Sequence, residues 1–351
     1  MKKTLSFILS FILILSLAGC KDTSAETKYT DYSFDYFDTV TTIVGFEQSK
    51  EEFDAKCLQL KARLEEYHKL YTFYLRYEGV NNLCRINETV DGAHQTLTVD
   101  RKIIDLLLYA KEIYSLTDGK TNVAMGSVLS IWHQYREEGT NDPAEAKLPP
   151  MDALREAAEH TNINDILIDE QNCTVFLSDP AMRLDVGAVA KGYAVEKIAL
   201  WMRENGMEDY TLNVGGNVCA VGPRPDGQKW RIGIENPDTE NIDRPYIEYL
   251  EFVQMSLVTS GSYQRFYTVD GKNYHHIIDP DTLMPSEYFL SVSVLCKDSG
   301  LADALSTALF SMSYEEGSAL VASNSDVEAM WVLPTGVQRY SSGFQAYCTE
   351  K

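Results

Sequence analysis

The stretches Tyr263 to Val269 and Lys272 to Ile278 are separated only by Asp270-Gly271. That dipeptide favours the tight two-residue turn whose twist matches paired strands, so the two stretches must lie side by side as an antiparallel hairpin. Ile166 to Ile168 and Thr174 to Leu177, flanking Asp169-Glu170-Gln171-Asn172, read as a second hairpin, and Leu290 to Leu295 as a further strand. Between such segments the period changes. Phe53, Cys57, Leu60, Leu64, Tyr67 and Tyr71 recur at intervals of four and three, the spacing of one face of an amphipathic helix. Ile103 to Leu116, Ala190 to Glu204 before Gly206, and Ala302 to Met312 read as further helices, and the polar run Glu137 to Pro150 as an exposed loop. Hairpins alternating with helices predict an α+β fold of largely antiparallel β-sheets packed with α-helices.

The N-terminus carries a different signal. Met1-Lys2-Lys3 precedes an apolar run from Leu5 to Ala18, shorter than the roughly 20 residues a spanning helix needs, which marks a secretory signal. It ends in Leu17-Ala18-Gly19-Cys20, which resembles the bacterial lipobox, so cleavage before Cys20 and lipidation of that residue are implied. The expected organisation is a signal peptide over 1–19, a lipidated cysteine and polar tether over 20–30, and one domain over 31–351, exported and lipid-anchored to the outer face of the cell membrane. Against 31 Lys and Arg stand 52 Asp and Glu, a net charge of −21 that repels polyphosphate backbones, so nucleic acid is not an expected partner. A small anionic ligand would need a local device, such as a metal ion, a helix N-terminus or a glycine-rich turn. Cys57, Cys84, Cys173, Cys219, Cys296 and Cys348 form no Cys-x-x-Cys pair and lie near no histidine, which argues against a zinc site and for small buried residues.

Four clusters carry chemistry. Asp185-Val186-Gly187-Ala188-Val189-Ala190-Lys191-Gly192 joins a strand end to a helix through small residues and supplies a carboxylate and a cation. Asn213-Val214-Gly215-Gly216-Asn217 permits either a nest of backbone donors or a plain turn. Across the hairpin from Thr259 to Tyr263 comes Tyr274-His275-His276-Ile277-Ile278-Asp279-Pro280, where alternation puts the histidines on opposite faces, so at most one faces a site and the pair cannot chelate one metal. Such a histidine, with an ordinary pKa near 6.5, is a candidate base. Asp303 and Thr307 share a helix face at i, i+4 and offer two oxygens to a hard cation, or Asp303 merely favours a helix dipole.

In order and spacing these clusters, together with Phe37-Asp38-Thr39, Leu70 to Asn87, Val123-Ala124-Met125-Gly126 before Trp132, Trp230 to Pro237 and Ala302 to Thr307, resemble the ApbE family, the FAD:protein FMN transferases. The resemblance runs from about Asp35 to the C-terminus. It implies that FAD is the substrate and that an Mg²⁺ ion at its pyrophosphate is held by the Asp303 carboxylate, the Thr307 hydroxyl and the Ala188 carbonyl. His276 then matches the catalytic histidine that activates a threonine hydroxyl, which attacks the FMN phosphorus and expels AMP. Phe37, Tyr74, Ala124, Met125, Gly126, Asp185, Lys191 and Ile278 are implied contacts of the flavin nucleotide. The implied partner is a redox-complex subunit carrying an Asp-x-x-Thr-Ser/Gly-Ala-Thr type motif. Two alternatives remain: hydrolysis of FAD to FMN and AMP, and a non-catalytic flavin-binding lipoprotein.

Two positions depart from the family's pattern. Leu283 stands where Asp-Pro-x-Thr-Gly-x-Pro has glycine; if that position needs a positive φ, the turn is expected to differ. Ser306 stands where some members have an acid, which would remove one metal ligand. Asp303 to Ala308 faintly resembles the acceptor motif, but Leu309 ends the match.

Overall fold

The computed structural model describes residues 26–349 except residue 93, so the signal segment and Cys20 lie outside the described residues. An eight-stranded sheet runs in the order Thr27–Tyr36, Thr39–Glu47, Tyr210–Val214, Asn217–Ala220, Ser256–Gly261, Ser291–Cys296, Glu328–Val332 and Gln338–Tyr340. Every neighbouring pair is antiparallel, in keeping with the expected α+β fold of largely antiparallel sheets. Smaller ladders pair Trp230–Glu235 with Tyr246–Phe252, Phe266–Val269 with Lys272–His275, and Ile166–Asp169 with Thr174–Leu177, which also takes Leu97–Thr98. The Asp270-Gly271 hairpin is thus shorter at both ends than its sequence suggested, and Tyr263 and His276 lie outside its ladder.

Eight helices among the described residues complete the fold: α1 (Lys50–Tyr71), α2 (Leu83–Asp91), α3 (Arg101–Leu116), α4 (Gly126–Asn141), α5 (Met151–Ala158), α6 (Ala190–Glu204), α7 (Ser299–Phe310) and α8 (Tyr314–Ala322). None is long and apolar enough to cross a membrane. On α1 the periodic residues Phe53, Cys57, Leu60, Leu64 and Tyr71 are buried; the first four, with residues of α6, pack on Tyr210, Leu212 and Val214 of the sheet. Alternation along the strands divides two cores. Val258 and Val294 pack beneath α7 and α8, whereas Leu257 and Leu295 face the Trp230–Phe252 hairpin.

Two boundaries move. Helix α4 continues to Asn141, so only the later part of the stretch read as a loop is one. Helix α7 begins at Ser299, three residues before the expected start, because the Asp298 side chain caps it by accepting from the Leu301 N–H at 2.9 Å. Asp303 therefore lies in the helix body, 3% exposed, and is not an exposed first-turn acid. It faces α6 at Gly192, where a Cβ would come within 2.3 Å of the Asp303 Cβ and 2.4 Å of the Ser299 carbonyl oxygen. Only glycine lets α6 and α7 meet there, and this contact brings Lys191 and Asp303 together.

Candidate active site

A cleft of about 950 Å³ opens against interior strands of the large sheet, lined by Thr42, Thr211, Asn217 and Thr259 among others. Two tight turns contribute to its lining. Phe37 and Asp38, joining the first two strands, have φ of +54° and +51°; Gly215 and Gly216 have +59° and +87°. Glycine takes that conformation freely, whereas Phe37 and Asp38 are strained and must be held. The Phe37 N–H donates to His68 Nδ1 at 3.1 Å, and Arg265 donates to the Asp38 carbonyl at 3.2 Å.

At another part of the cleft Asp303 and Thr307 of α7 line it with Ala188 and Lys191. Asp303 Oδ2 accepts from the Gly192 N–H at 2.8 Å, and Lys191 Nζ lies 3.6 Å from Oδ1. Burial raises the Asp303 pKa, and Lys191 pulls it back. The Thr307 hydroxyl has a long 3.5 Å contact to the Ser260 hydroxyl. One carboxylate and one hydroxyl, a turn apart beside a small-residue loop, suit a small hard cation that keeps open positions for substrate oxygens. Among the described residues no group of three or more His, Cys, Asp or Glu side chains could hold a metal without such help. Ser306 is fully buried and does not line the cleft; its hydroxyl bonds the Ser260 hydroxyl at 2.8 Å and donates to the Asp303 carbonyl at 2.9 Å.

The two histidines diverge, with His275 ending the strand and His276 just beyond it. His275 is 8% exposed, with Nε2 2.7 Å from the Ser286 carbonyl and its ring edge-on to Phe310. His276 lines the cleft, with Nδ1 3.3 Å from the Arg265 carbonyl. Burial first, then the guanidinium groups of Arg265 and Arg136, lower its pKa to about 3. The following turn keeps a left-handed residue in spite of the substitution: Leu283 has φ +60°, donates its N–H to the Asp279 carbonyl at 2.8 Å and accepts from Trp132 Nε1 at 2.9 Å. Its side chain is buried among Val128, Trp132 and Leu154, which offsets the backbone strain. Lys120 secures the same turn, 2.9 Å from Asp279 Oδ1 and 2.8 Å from Asp281 Oδ2.

Of the expected nucleotide contacts, Phe37, Tyr74, Met125, Asp185, Lys191 and Ile278 line the cleft. Ala124 and Gly126 are not brought to its surface. Ala124 is fully buried in the core, and Gly126 lies so close to Arg183 that a Cβ would sit 2.4 Å from its carbonyl oxygen. His68, Lys120, His133, Arg136 and Arg265 also line the cleft. They come from four separate stretches of sequence, with His133 and Arg136 one turn apart on α4, and no motif joins those stretches before the chain folds.

A family model described as the ApbE family matches residues 32–331. An FAD:protein FMN transferase of Klebsiella pneumoniae is 32% identical over 271 residues, 75% of this chain and 81% of that protein. One from Haemophilus influenzae is 27% identical over 357 residues, 98% of each. Among solved structures, the ApbE protein of Thermotoga maritima superposes with a TM-score of 0.78 at 27% identity, covering 92% of this chain and 100% of that one. The flavin transferase ApbE from Vibrio cholerae, at 24% identity, gives 0.74 over 92% and 99%, a likeness of fold alone.

Proposed function

The chain belongs to the ApbE family, and from that premise we propose that it is an FAD:protein FMN transferase, exported and anchored to the membrane through Cys20, that joins FMN to a threonine of a partner redox protein. The observation that carries this reading is the convergence, in one cleft, of His276 with Asp303, Thr307 and Lys191. FAD fills the cleft with its flavin near Phe37 and Tyr74. The acceptor hydroxyl then meets the phosphorus of the FMN half beside His276. The Arg265 carbonyl accepts a hydrogen bond from Nδ1–H of His276, which leaves the Nε2 lone pair for the acceptor's proton. The hydroxyl oxygen bonds to that phosphorus as its bond to the bridging oxygen breaks, AMP leaves with the bridging oxygen, and the proton passes to Nε2. Asp303, Thr307 and the Ala188 carbonyl would hold Mg²⁺, which when bound supplies positive charge to the pyrophosphate oxygens. Lys191 neutralises charge on the same side.

The test is to incubate the purified protein with FAD, Mg²⁺ and a candidate acceptor, following AMP by chromatography and acceptor mass by spectrometry. AMP release with an acceptor heavier by FMN is expected. AMP without a mass gain would make the enzyme an FAD pyrophosphatase, and FAD bound without turnover would make it a flavin-binding protein.

A further inference from the structure

His133, on α4, is outside every residue assigned above to the nucleotide, the metal or the proton. Its ring reaches two other segments at once. Nδ1 is 2.9 Å from the Tyr74 hydroxyl, and Nε2 is 3.8 Å from Asp185 Oδ2. The Phe73 ring lies within 18° of parallel to it, and the Tyr74 ring centroid is 5.7 Å away. With the proton on Nε2, Nδ1 accepts the tyrosine O–H, and the Nε2–H dipole faces the carboxylate at 3.8 Å, a polar contact longer than a hydrogen bond.

Both partners need such a tie. Asp185 is 8% exposed, and its other oxygen takes the Gly187 N–H at 2.8 Å. A buried carboxylate with one N–H donor is costly, and the His133 N–H dipole facing its other oxygen offsets part of that cost. Tyr74 is 53% exposed, in the segment after α1, and an untied ring there samples several rotamers. Asp185 and Tyr74 are far apart in sequence, and the rigid imidazole spans them.

We propose that His133 is a positioning residue for the flavin nucleotide, holding the Tyr74 ring and the Asp185 carboxylate where both meet the substrate. The inference rests on the reading of the cleft as an FAD site. An unheld ring and carboxylate must be ordered on each binding event, so the loss falls on affinity rather than on the chemical step.

A double-mutant cycle decides it, with the FAD dissociation constant read from flavin fluorescence quenching and KM and kcat from AMP release. His133→Ala should raise both constants for FAD about ten-fold, the worth of one hydrogen bond, with kcat changed by less than about three-fold. Tyr74→Phe should weaken binding in the wild-type background and cost little further in His133→Ala. His133→Asn, whose amide oxygen stands near the place of Nδ1, should recover part of the loss. Should His133→Ala not fold, His133→Gln keeps the volume and a polar group facing Asp185, and Tyr74→Phe should again cost little in that background. Unchanged FAD constants, or additive losses in the cycle, would overturn the proposal. A wild-type protein that does not bind FAD would instead overturn the reading of the cleft on which it rests.

Discussion

Removing His276, or changing its charge, should affect the reaction in a way that an ordinary histidine would not. An exposed imidazole is half protonated near pH 6.5, but burial and the guanidinium groups of Arg265 and Arg136 lower the His276 pKa to about 3. At pH 6.5 nearly every molecule then carries the neutral base. The pH profile of kcat/KM reports the free enzyme, so between pH 6 and 8 it should be flat where an unperturbed histidine would give a rising limb. Bound FAD brings two negative phosphates that oppose the arginines, so the limb in kcat should lie at higher pH than in kcat/KM. His276→Ala should lower kcat by about 10²- to 10⁴-fold with FAD binding largely kept. Stability follows the same charge. The folded pKa lies below the unfolded one, so this contribution is present above about pH 6.5 and lost as pH falls from there towards 3. Urea midpoints across pH 4 to 8 should show less acid sensitivity in His276→Ala. A wild-type kcat/KM that falls ten-fold per pH unit below about 6.5, with the limb absent from His276→Ala, would refute the argument from burial.

Asp303→Asn keeps an acceptor for the Gly192 N–H but removes the charge, so Mg²⁺-dependent AMP release should fall at least about 100-fold while the melting temperature stays near wild type. Asp303→Ala would confound that assay, because it leaves a buried N–H unpaired, a cost of about 1–3 kcal/mol. Leu283→Gly should relieve about 1–2 kcal/mol of left-handed strain yet lose a buried side chain worth about 2–5 kcal/mol, so denaturant unfolding should show net destabilisation. Cys20→Ser should release the protein from membranes on fractionation or leave its signal uncut, since a chain of net charge −21 has little electrostatic hold on anionic lipid.

What the sequence by itself determined is what rests on short-range periodicity. The Asp270-Gly271 turn enforced an antiparallel pair, and four- and three-residue spacing gave the buried face of α1. Spacing of four likewise brought Asp303 and Thr307 to one cleft. These are properties of a few neighbouring residues, and any fold that includes the element inherits them. Tertiary structure decided the rest because it depends on what distant segments do to one another. The burial of Asp303 follows from a capped start at Asp298 and a glycine contact with α6. Leu283 keeps a left-handed φ because Val128, Trp132 and Leu154 receive its side chain. The charge state of His276 depends on desolvation and on guanidinium groups from two other segments. A pKa is set by what surrounds a group in space, and those surroundings exist only once the chain has folded.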